Sequence, residues 1–400
     1  MKKTDLLVIG GGVIGLNIAL AFQRRYPQQK VVLLEKETQF GAHASGRNSG
    51  VLHAGFYYTA DSLKARFTRE GNRLLTEYCT ERGLRINRCG KLVVTRNEAE
   101  LETLDVLLQR GKAGGVTMHE LTEREAHDIE PRAKTFQRAL FSPTTSSVDP
   151  QEVVDSMAND AKDIGIEILT GTAYLGRKGQ EIRTTQGKML AGYVINAAGL
   201  YADKVAQDFG FSEHYRIIPF KGLYLYSDEP VGALRTHIYP VPDLRNPFLG
   251  VHFTLTADGH IKVGPTAIPA FWREHYKGFE NFNASELFEI TMRELGLMLN
   301  NDFGFRKLAV TELSKYYRPR MVKLASTLLS GVDNKTYRRW GRPGIRAQLF
   351  DLRNRRLEQD FCFEGDQHSF HVLNAVSPAF TCSIPFCEYL IDQVEISRSR

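Results

Sequence analysis

Three glycines, Gly10, Gly12 and Gly15, are spaced G-x-G-x-x-G inside the opening run MKKTDLLVIGGGVIG. The first permits a tight turn, the second lets the backbone approach a pyrophosphate, and the third lets a helix pack on a strand. A phosphate seated there meets the N-terminus of the helix that follows. Glu35 lies twenty residues beyond Gly15, at the end of the next apolar run. A carboxylate at that place accepts hydrogen bonds from an adenosine ribose. Glycines alone are weak evidence; with strand, helix and acid in register they point to a dinucleotide. A second stretch, SGRNSGVLHAGFYY at 45–58, sets His53 between a Gly-rich polar turn and an aromatic run. Its Asn48, Ser49 and Gly50 supply donors in a tight turn, suited to a pyrophosphate or the edge of a cofactor ring.

The elements that must position these residues follow from periodicity. A strand over 5–9, a turn over 10–15, a helix over 16–25 and a strand over 30–34 make one βαβ unit. The apolar run 6–22 resembles a membrane or signal segment, but four glycines interrupt it, which favours strand, turn and helix. Helices are expected over 62–82, 98–112 and 151–164, and strands over 91–95 and 167–169. The stretch 141–150 (FSPTTSSVDP) reads as a polar connection. YVINAAG at 193–199 reads as a buried strand entering a small-residue turn, where Ala198 and Gly199 let the backbone approach a cofactor closely. From 217 to 265 the pattern turns to β, as an antiparallel sheet inserted into an α/β frame. Helices follow over 284–299 and 307–329, the latter broken at Pro319. The stretch 342–363 is strand-rich, and 378–394 is a closing helix. The expected fold class is α/β (α+β): a Rossmann-type domain made of 1–85, 143–212 and 340–400, with a substrate or cap domain made of 86–142 and 213–339.

Composition narrows the partners. Apolar residues make up 42% and charged residues 24% of the 400 residues, as in an ordinary globular protein. The five cysteines (Cys79, Cys89, Cys362, Cys382, Cys387) are odd in number and lack C-x-x-C spacing. They suggest reduced thiols in a cytosolic-type compartment and no metal site. The net charge of +6 is uneven: residues 306–356 hold fourteen Lys and Arg against three acidic residues. A basic segment draws in anionic substrates, anionic lipid or nucleic acid. No nucleic-acid motif accompanies it, so nucleic acid ranks last and no nucleic-acid partner is expected. KYYRPR at 315–320, flanked by Leu308, Leu313, Met321 and Leu324, makes 306–330 a candidate peripheral membrane contact. An oligomer interface or a helix packed on the core are the plainer readings.

A nicotinamide-binding fold continues with regular βαβ units. Here a polar turn (44–50) follows directly, and a second small-residue strand end, INAAG, comes far downstream. Both suit a long cofactor gripped by separated segments, which is FAD rather than NAD. Over nearly its whole length the chain resembles the FAD-dependent oxidoreductases of the D-amino-acid oxidase superfamily. Within it, the chain is most similar to the L-2-hydroxyglutarate dehydrogenase/oxidase group. The carriers are GGGVIG with LLEK, RNSGVLHAGFYY with SLKAR, CGKLVVT, FSPTTSSVDP, INAAGLYAD, IYPVPDLRNPFLGVHFT, GIRAQ and HVLNAVSPAFTCS. HAGFYY and FLGVHFT are more diagnostic than GGGVIG and INAAG, which belong to flavoproteins at large. The group usually reads Arg-Gly-Glu-Tyr-Tyr where this chain has Lys221-Gly222-Leu223-Tyr224-Leu225, a change of polarity in a segment expected to face substrate.

The resemblance implies roles. Removing hydride from an alcohol carbon requires loss of the hydroxyl proton, and histidine is the usual acceptor. His53 and His252 stand on segments like those that line the cavity in relatives, and which of them is the base stays open. Some relatives attach the flavin covalently, here through His53 or His43, though nothing in these residues requires it. Arg346 falls where relatives place a carboxylate-binding arginine; an ion pair with Asp351 is the structural alternative. Lys221 and Tyr239 are candidates for a second carboxylate. Lys36 and Ser45 join the cofactor set, as do Pro378 and Thr381 at the start of the closing helix, where amides meet charge developing on a reduced ring. The expected activity is FAD-dependent oxidation of a 2-hydroxy acid, L-2-hydroxyglutarate first, with quinone or oxygen as the final acceptor. A glycine- or sarcosine-type amine oxidase and a non-catalytic flavin sensor are the alternatives. The expected location is the cytoplasm, with any membrane contact on the inner face, and oligomerisation is open.

Overall fold

The G-x-G-x-x-G stretch folds as its spacing requires. The computed structural model describes residues 1–59, 61–244 and 249–398. In it, strand Lys2–Ile9 runs through the glycine turn into helix Val13–Arg25, and strand Val31–Leu34 returns parallel to the first. Gly10 adopts φ +108°, and a Cβ there would lie 2.5 Å from the Ala197 carbonyl oxygen. At Gly15 a Cβ would lie 1.9 Å from the Gly10 carbonyl oxygen. Both positions therefore exclude any side chain.

These elements belong to the first of two compact units, Met1–Asn48, Pro150–Pro219 and Ile345–Arg400. Its sheet is parallel through Glu167–Leu169, Val31–Leu34, Lys2–Ile9, Gly187–Asn196 and Ser369–Asn374. Antiparallel strands Glu181–Thr184 and Cys362–Gly365 extend it. Ten of the thirteen residues of helix Val13–Arg25 are buried. The Cys387 thiol, on closing helix Ala379–Arg398, reaches the Ile14 carbonyl at 3.4 Å. Asn17 touches the Met157 sulfur of helix Pro150–Asp163 at 3.2 Å. A helix covered on all sides is apolar on all sides, which explains why 6–22 looks membrane-like in sequence.

The second unit is Ser49–Asp149 with Phe220–Gly344. Its main sheet runs Tyr337–Trp340, Leu225–Ser227, Ile261–Gly264, His252–Leu255, His237–Pro240, Lys91–Val94, Arg138–Ser142, His119–Thr122. The sheet is mixed, not purely antiparallel: Lys91–Val94 pairs parallel with His237–Pro240, Lys91 opposite His237. Leu92, Ile238, Phe253, Val263, Met321 and Leu328 form part of its buried core, each worth roughly 1.5–3 kcal/mol on burial.

Two expectations change. The stretch 141–150 is not a plain connection, since strand Ser146–Val148 pairs with both Val51–Leu52 and Ile86–Asn87. Those pairings draw 49–85 and 143–149 into the second unit, whereas the sequence reading assigned them to the Rossmann-type domain. The helix expected over 307–329 is broken, as expected, into Phe305–Ser314 and Arg318–Ala325, but it stops at 325. The break comes before Pro319, which sits in the first turn of the second helix, where its missing N–H is no loss. The diagnostic segment IYPVPDLRNPFLGVHFT falls partly on residues 245–248, which lie outside the described residues.

Replacing Gly10 with Ala forces a Cβ against Ala197 at a positive φ. The expected loss of stability is about 1–3 kcal/mol, read as a lower thermal midpoint. An unchanged midpoint would contradict the turn described.

Candidate active site

In the first unit the glycine turn is held by Glu35. Gly11 N donates to its Oε2 and Glu37 N to its Oε1, both at 2.9 Å. Each carboxylate oxygen has a further lone pair for a ribose hydroxyl. The Ser45 hydroxyl accepts from Val13 N at 2.9 Å, capping a helix whose own N-cap, Gly12, has no side chain to offer. A Cβ on Gly12 would lie 3.0 Å from that hydroxyl. Asn48 Nδ2 closes the turn on the Ser45 carbonyl at 2.7 Å. Across the sheet, Ala198 N donates to Asn196 Oδ1 at 3.1 Å, and Gly199 turns the chain at φ +56°. A helix N-terminus opening on bare backbone, an anchored carboxylate at the next strand end and a second small-residue turn fit an adenine dinucleotide.

The other expected residues of this unit are placed less tellingly. Lys36 pairs with Glu37, which also takes His43 Nε2 at 2.8 Å. Pro378 precedes the closing helix, and Thr381 is buried in its first turn. Arg346 is half-buried on strand Gly344–Asp351. The Asp351 carboxylate serves a turn, accepting from Arg353 N at 2.7 Å and Asn354 Nδ2 at 2.6 Å.

The second unit gathers His53, His252 and Tyr239, and adds Lys91 and His237, which the sequence reading did not single out. Lys91 is fully buried. Its Nζ lies 3.4 Å from His53 Nδ1 and 4.5, 5.1 and 5.5 Å from the ring centroids of Tyr239, Tyr57 and Phe56. Burial pushes its pKa down from 10.5 to about 7. Among the described residues, no carboxylate acts on its charge, and only the Cys89 thiol favours it. Burial, then Lys91, His252 and His237, hold His53 well below the ordinary histidine value. His237 is held low by burial and by the same kind of neighbours. His252 stacks on Tyr239, centroids 3.7 Å apart and planes at 17°. The Tyr239 phenol is driven well above 10, first by burial. It is therefore a neutral wall beside the imidazole.

The remaining candidates serve the same unit. Lys262 Nζ donates to the Ser49 carbonyl at 2.9 Å, and burial lowers it to about 8. The Ser49 hydroxyl accepts from Val51 N, and the Gly50 carbonyl from Val148 N. So the carbonyls of Ser49 and Gly50 are committed to Lys262 and to their own sheet. Lys221 is likewise lowered to about 8 by burial, and its charge acts on His275. The sequence did carry one signal for the missed residues. Lys91, His237 and Lys262 are polar side chains at or near the head of four-residue strands that are otherwise largely apolar, KLVV, HIYP and IKVG.

The first unit carries a dinucleotide cradle, and the second a buried set of titratable groups. Comparison with known proteins defines the class. The family model for FAD dependent oxidoreductase (DAO) matches residues 5–393. The chain is 35% identical to the mitochondrial L-2-hydroxyglutarate dehydrogenase of Homo sapiens, over 98% of this chain and 88% of that protein. It is 35% identical to L-2-hydroxyglutarate dehydrogenase of Escherichia coli (strain K12), over 98% and 93%. Among solved structures, FAD-bound L-alpha-glycerophosphate oxidase from Mycoplasma pneumoniae superposes with a TM-score of 0.78 at 21% identity, covering 99% and 95% of the two chains. Glycine oxidase from Geobacillus kaustophilus gives 0.74 at 19%, covering 99% and 96%. Both share the fold. The chain belongs to the FAD-dependent oxidoreductase family named for D-amino-acid oxidase: it is an enzyme, and FAD is its cofactor.

The depressed Lys91 pKa has a consequence for stability. Between about 7 and 10.5 the unfolded chain keeps the Lys91 proton that the fold has shed, so this group makes stability rise with pH across that window. Lys91→Met removes the dependence. The variant should gain on the wild type most at or below neutral pH, by an amount on the order of 4 kcal/mol, and the gain should fade toward pH 10.5. Urea midpoints measured across that window check it; parallel curves would refute it.

Proposed function

We propose that the protein oxidises a 2-hydroxy dicarboxylic acid, L-2-hydroxyglutarate, to the 2-oxo acid, with quinone or oxygen taking the electrons onward. The near-full-length identity to L-2-hydroxyglutarate dehydrogenases of bacteria and mammals carries this reading. Bound FAD supplies the two-electron acceptor that takes the C2 hydrogen as hydride. In this reading the backbone of Gly10, Gly12 and Gly15 and the helix behind them hold the pyrophosphate, and Glu35 holds the ribose. Ser45, Asn48, Ser49 and Gly50 shape the adjoining turn. Ala198, Gly199 and the helix carrying Thr381 support the ring system. Arg346 binds the α-carboxylate, Lys221 serves the second carboxylate, and the buried histidines handle the hydroxyl proton. A cluster of basic groups around a lysine on which, among the described residues, no carboxylate acts suits a substrate that brings its own negative charge.

Anaerobic addition of L-2-hydroxyglutarate should bleach the yellow protein, while glycine and sarcosine leave it coloured. Bleaching by the amines alone would make it an amine oxidase. No bleaching by either class would leave a flavin-binding sensor.

We further propose a peripheral contact with an anionic bilayer, where a quinone acceptor would be met. Among the described residues no helix is long and apolar enough to cross a membrane. The surface is only in part the one expected from 306–330, because Leu308 and Met321 are buried and Leu324 is packed on the core, while Leu313 is exposed. Helix Ala284–Asn300 instead exposes Phe288 (71%), Met292, Leu295 and Leu299 (68%), at the spacing of one helix face. Exposed Val310 and Leu313 follow on the next helix, with Arg306 and Lys307 at its start. Vesicles containing anionic lipid should carry the protein down on centrifugation. Replacing Phe288 and Leu299 together with Ser should cut the bound fraction several-fold; equal sedimentation would remove this surface.

A further inference from the structure

Three buried imidazoles stand in one unit, and their partners differ in a way that separates their chemistry. His237 Nδ1 accepts from Leu255 N at 3.0 Å, so its proton is on Nε2, toward Cys89 Sγ at 3.3 Å and Ser147 Oγ at 3.4 Å. The Ser147 hydroxyl donates to the Leu255 carbonyl, which leaves its oxygen to accept from His237. Both His237 nitrogens are thereby engaged in holding strands together. His53 Nδ1 faces the Lys91 ammonium at 3.4 Å. While Lys91 is protonated, as it is below about pH 7, it has donors only, so Nδ1 accepts and the proton is on Nε2. His252 is the reverse: its Nδ1 lies 2.8 Å from the Gly250 carbonyl oxygen. A carbonyl can only accept, so the proton is on Nδ1 and Nε2 carries the lone pair.

We infer that His252, through Nε2, takes the substrate hydroxyl proton, and that His53 is a hydrogen-bond donor whose tautomer Lys91 sets. The inference rests on the 2-hydroxy acid reading above. In the step the substrate O–H bond breaks as an N–H bond forms on His252 Nε2. The O–H electron pair becomes the second C–O bond, and the C2–H pair departs with its hydrogen as hydride to FAD. One proton and one hydride are thus accounted for. The imidazolium so formed donates from Nδ1 to the Gly250 carbonyl, a partner that favours its charge. At His53 the same change would set an imidazolium against a buried ammonium, with His237 and His252 close by. Among the described residues, Tyr239 stacks on His252, and His53 and His237 interact with it, with Lys91 and Lys262 acting on the same set. These groups are neutral or cationic, so substrate carboxylates bring negative charge that steadies the His252 imidazolium.

The test is the rate of anaerobic cofactor reduction as a function of pH. His252→Gln should lower that rate by about 10²–10⁴-fold and abolish its fall on the acid side. Imidazole added to His252→Gly should restore part of it. His53→Gln should keep the acid limb and lose chiefly substrate affinity. The assignment is overturned if His252→Gln keeps rate and limb while His53→Gln loses them. A wild type that no 2-hydroxy acid reduces would instead sink the functional reading. A readout without turnover is nitrogen NMR of ¹⁵N-histidine-labelled wild type, which keeps the question decidable if a variant fails to fold. His252 protonated at Nδ1 and His53 at Nε2 support the assignment; exchanged tautomers refute it.

Discussion

A lysine amine with no exposed surface, walled by three aromatic rings and, among the described residues, opposed by no carboxylate, is the constraint around which the second unit is arranged. Burying its charged form is costly, and ring faces at 4.5–5.5 Å return only about 0.5–2 kcal/mol each. The strand that carries Lys91 must therefore be fixed by something stronger. It is fixed on both edges, by Arg138–Ser142 antiparallel and by His237–Pro240 parallel. The parallel register sets Lys91 beside His237, and the neighbouring strand then brings His252 onto Tyr239. One pairing thus places four of the polar groups that matter. The low Lys91 pKa follows from that placement and is not an independent feature.

The first unit solves a different problem, presenting backbone rather than side chains. Its signals are local, and for that reason they were legible. A strand, three glycines at fixed spacing, a helix and an acid fall within thirty-five residues, and each is dictated by sterics or by hydrogen bonding to a neighbour near in sequence. The Ser45 cap on Val13 was visible only as membership of a polar turn, because the bond spans thirty-two residues. The same rule explains the failures in the second unit. Ser146–Val148 is three small or β-branched residues, too short for periodicity to register, yet it ties 49–85 to the second unit. The parallel pairing of 91–94 with 237–240 joins segments some 145 residues apart, and neither segment alone encodes its partner. Lys91 itself looked like the polar start of an apolar strand. Only the pairing shows that its charge has nowhere to go.

The histidines mark the limit of sequence reasoning most sharply. His53 and His252 were both legible as candidates, each from the segment it occupies. Choosing between them depends on whether a ring nitrogen meets a donor, as Lys91 is while protonated, or an obligate acceptor. A lysine thirty-eight residues away decides one, and a carbonyl two residues away decides the other. Residue type and spacing do not carry that information. Hydrogen-bond polarity does, and it exists only once the strands are paired.

These polarities also bear on why the substrate should be a dianion. Before binding, the interior holds a lysine that burial drives toward its neutral form, and His53 and His237, which burial and cationic neighbours hold neutral. A proton acceptor in such surroundings is weak on its own, since every neighbour resists a new positive charge. A ligand with two carboxylates reverses the sign of the local field. It stabilises the cation that proton transfer creates, and it does so only while bound. A monoanionic or zwitterionic amino acid supplies less of that field, although the fold accommodates such substrates elsewhere. On the proposed reading, preference for a 2-hydroxy dicarboxylate over an amine then rests on charge as well as shape, since buried basic groups favour a ligand that brings negative charge.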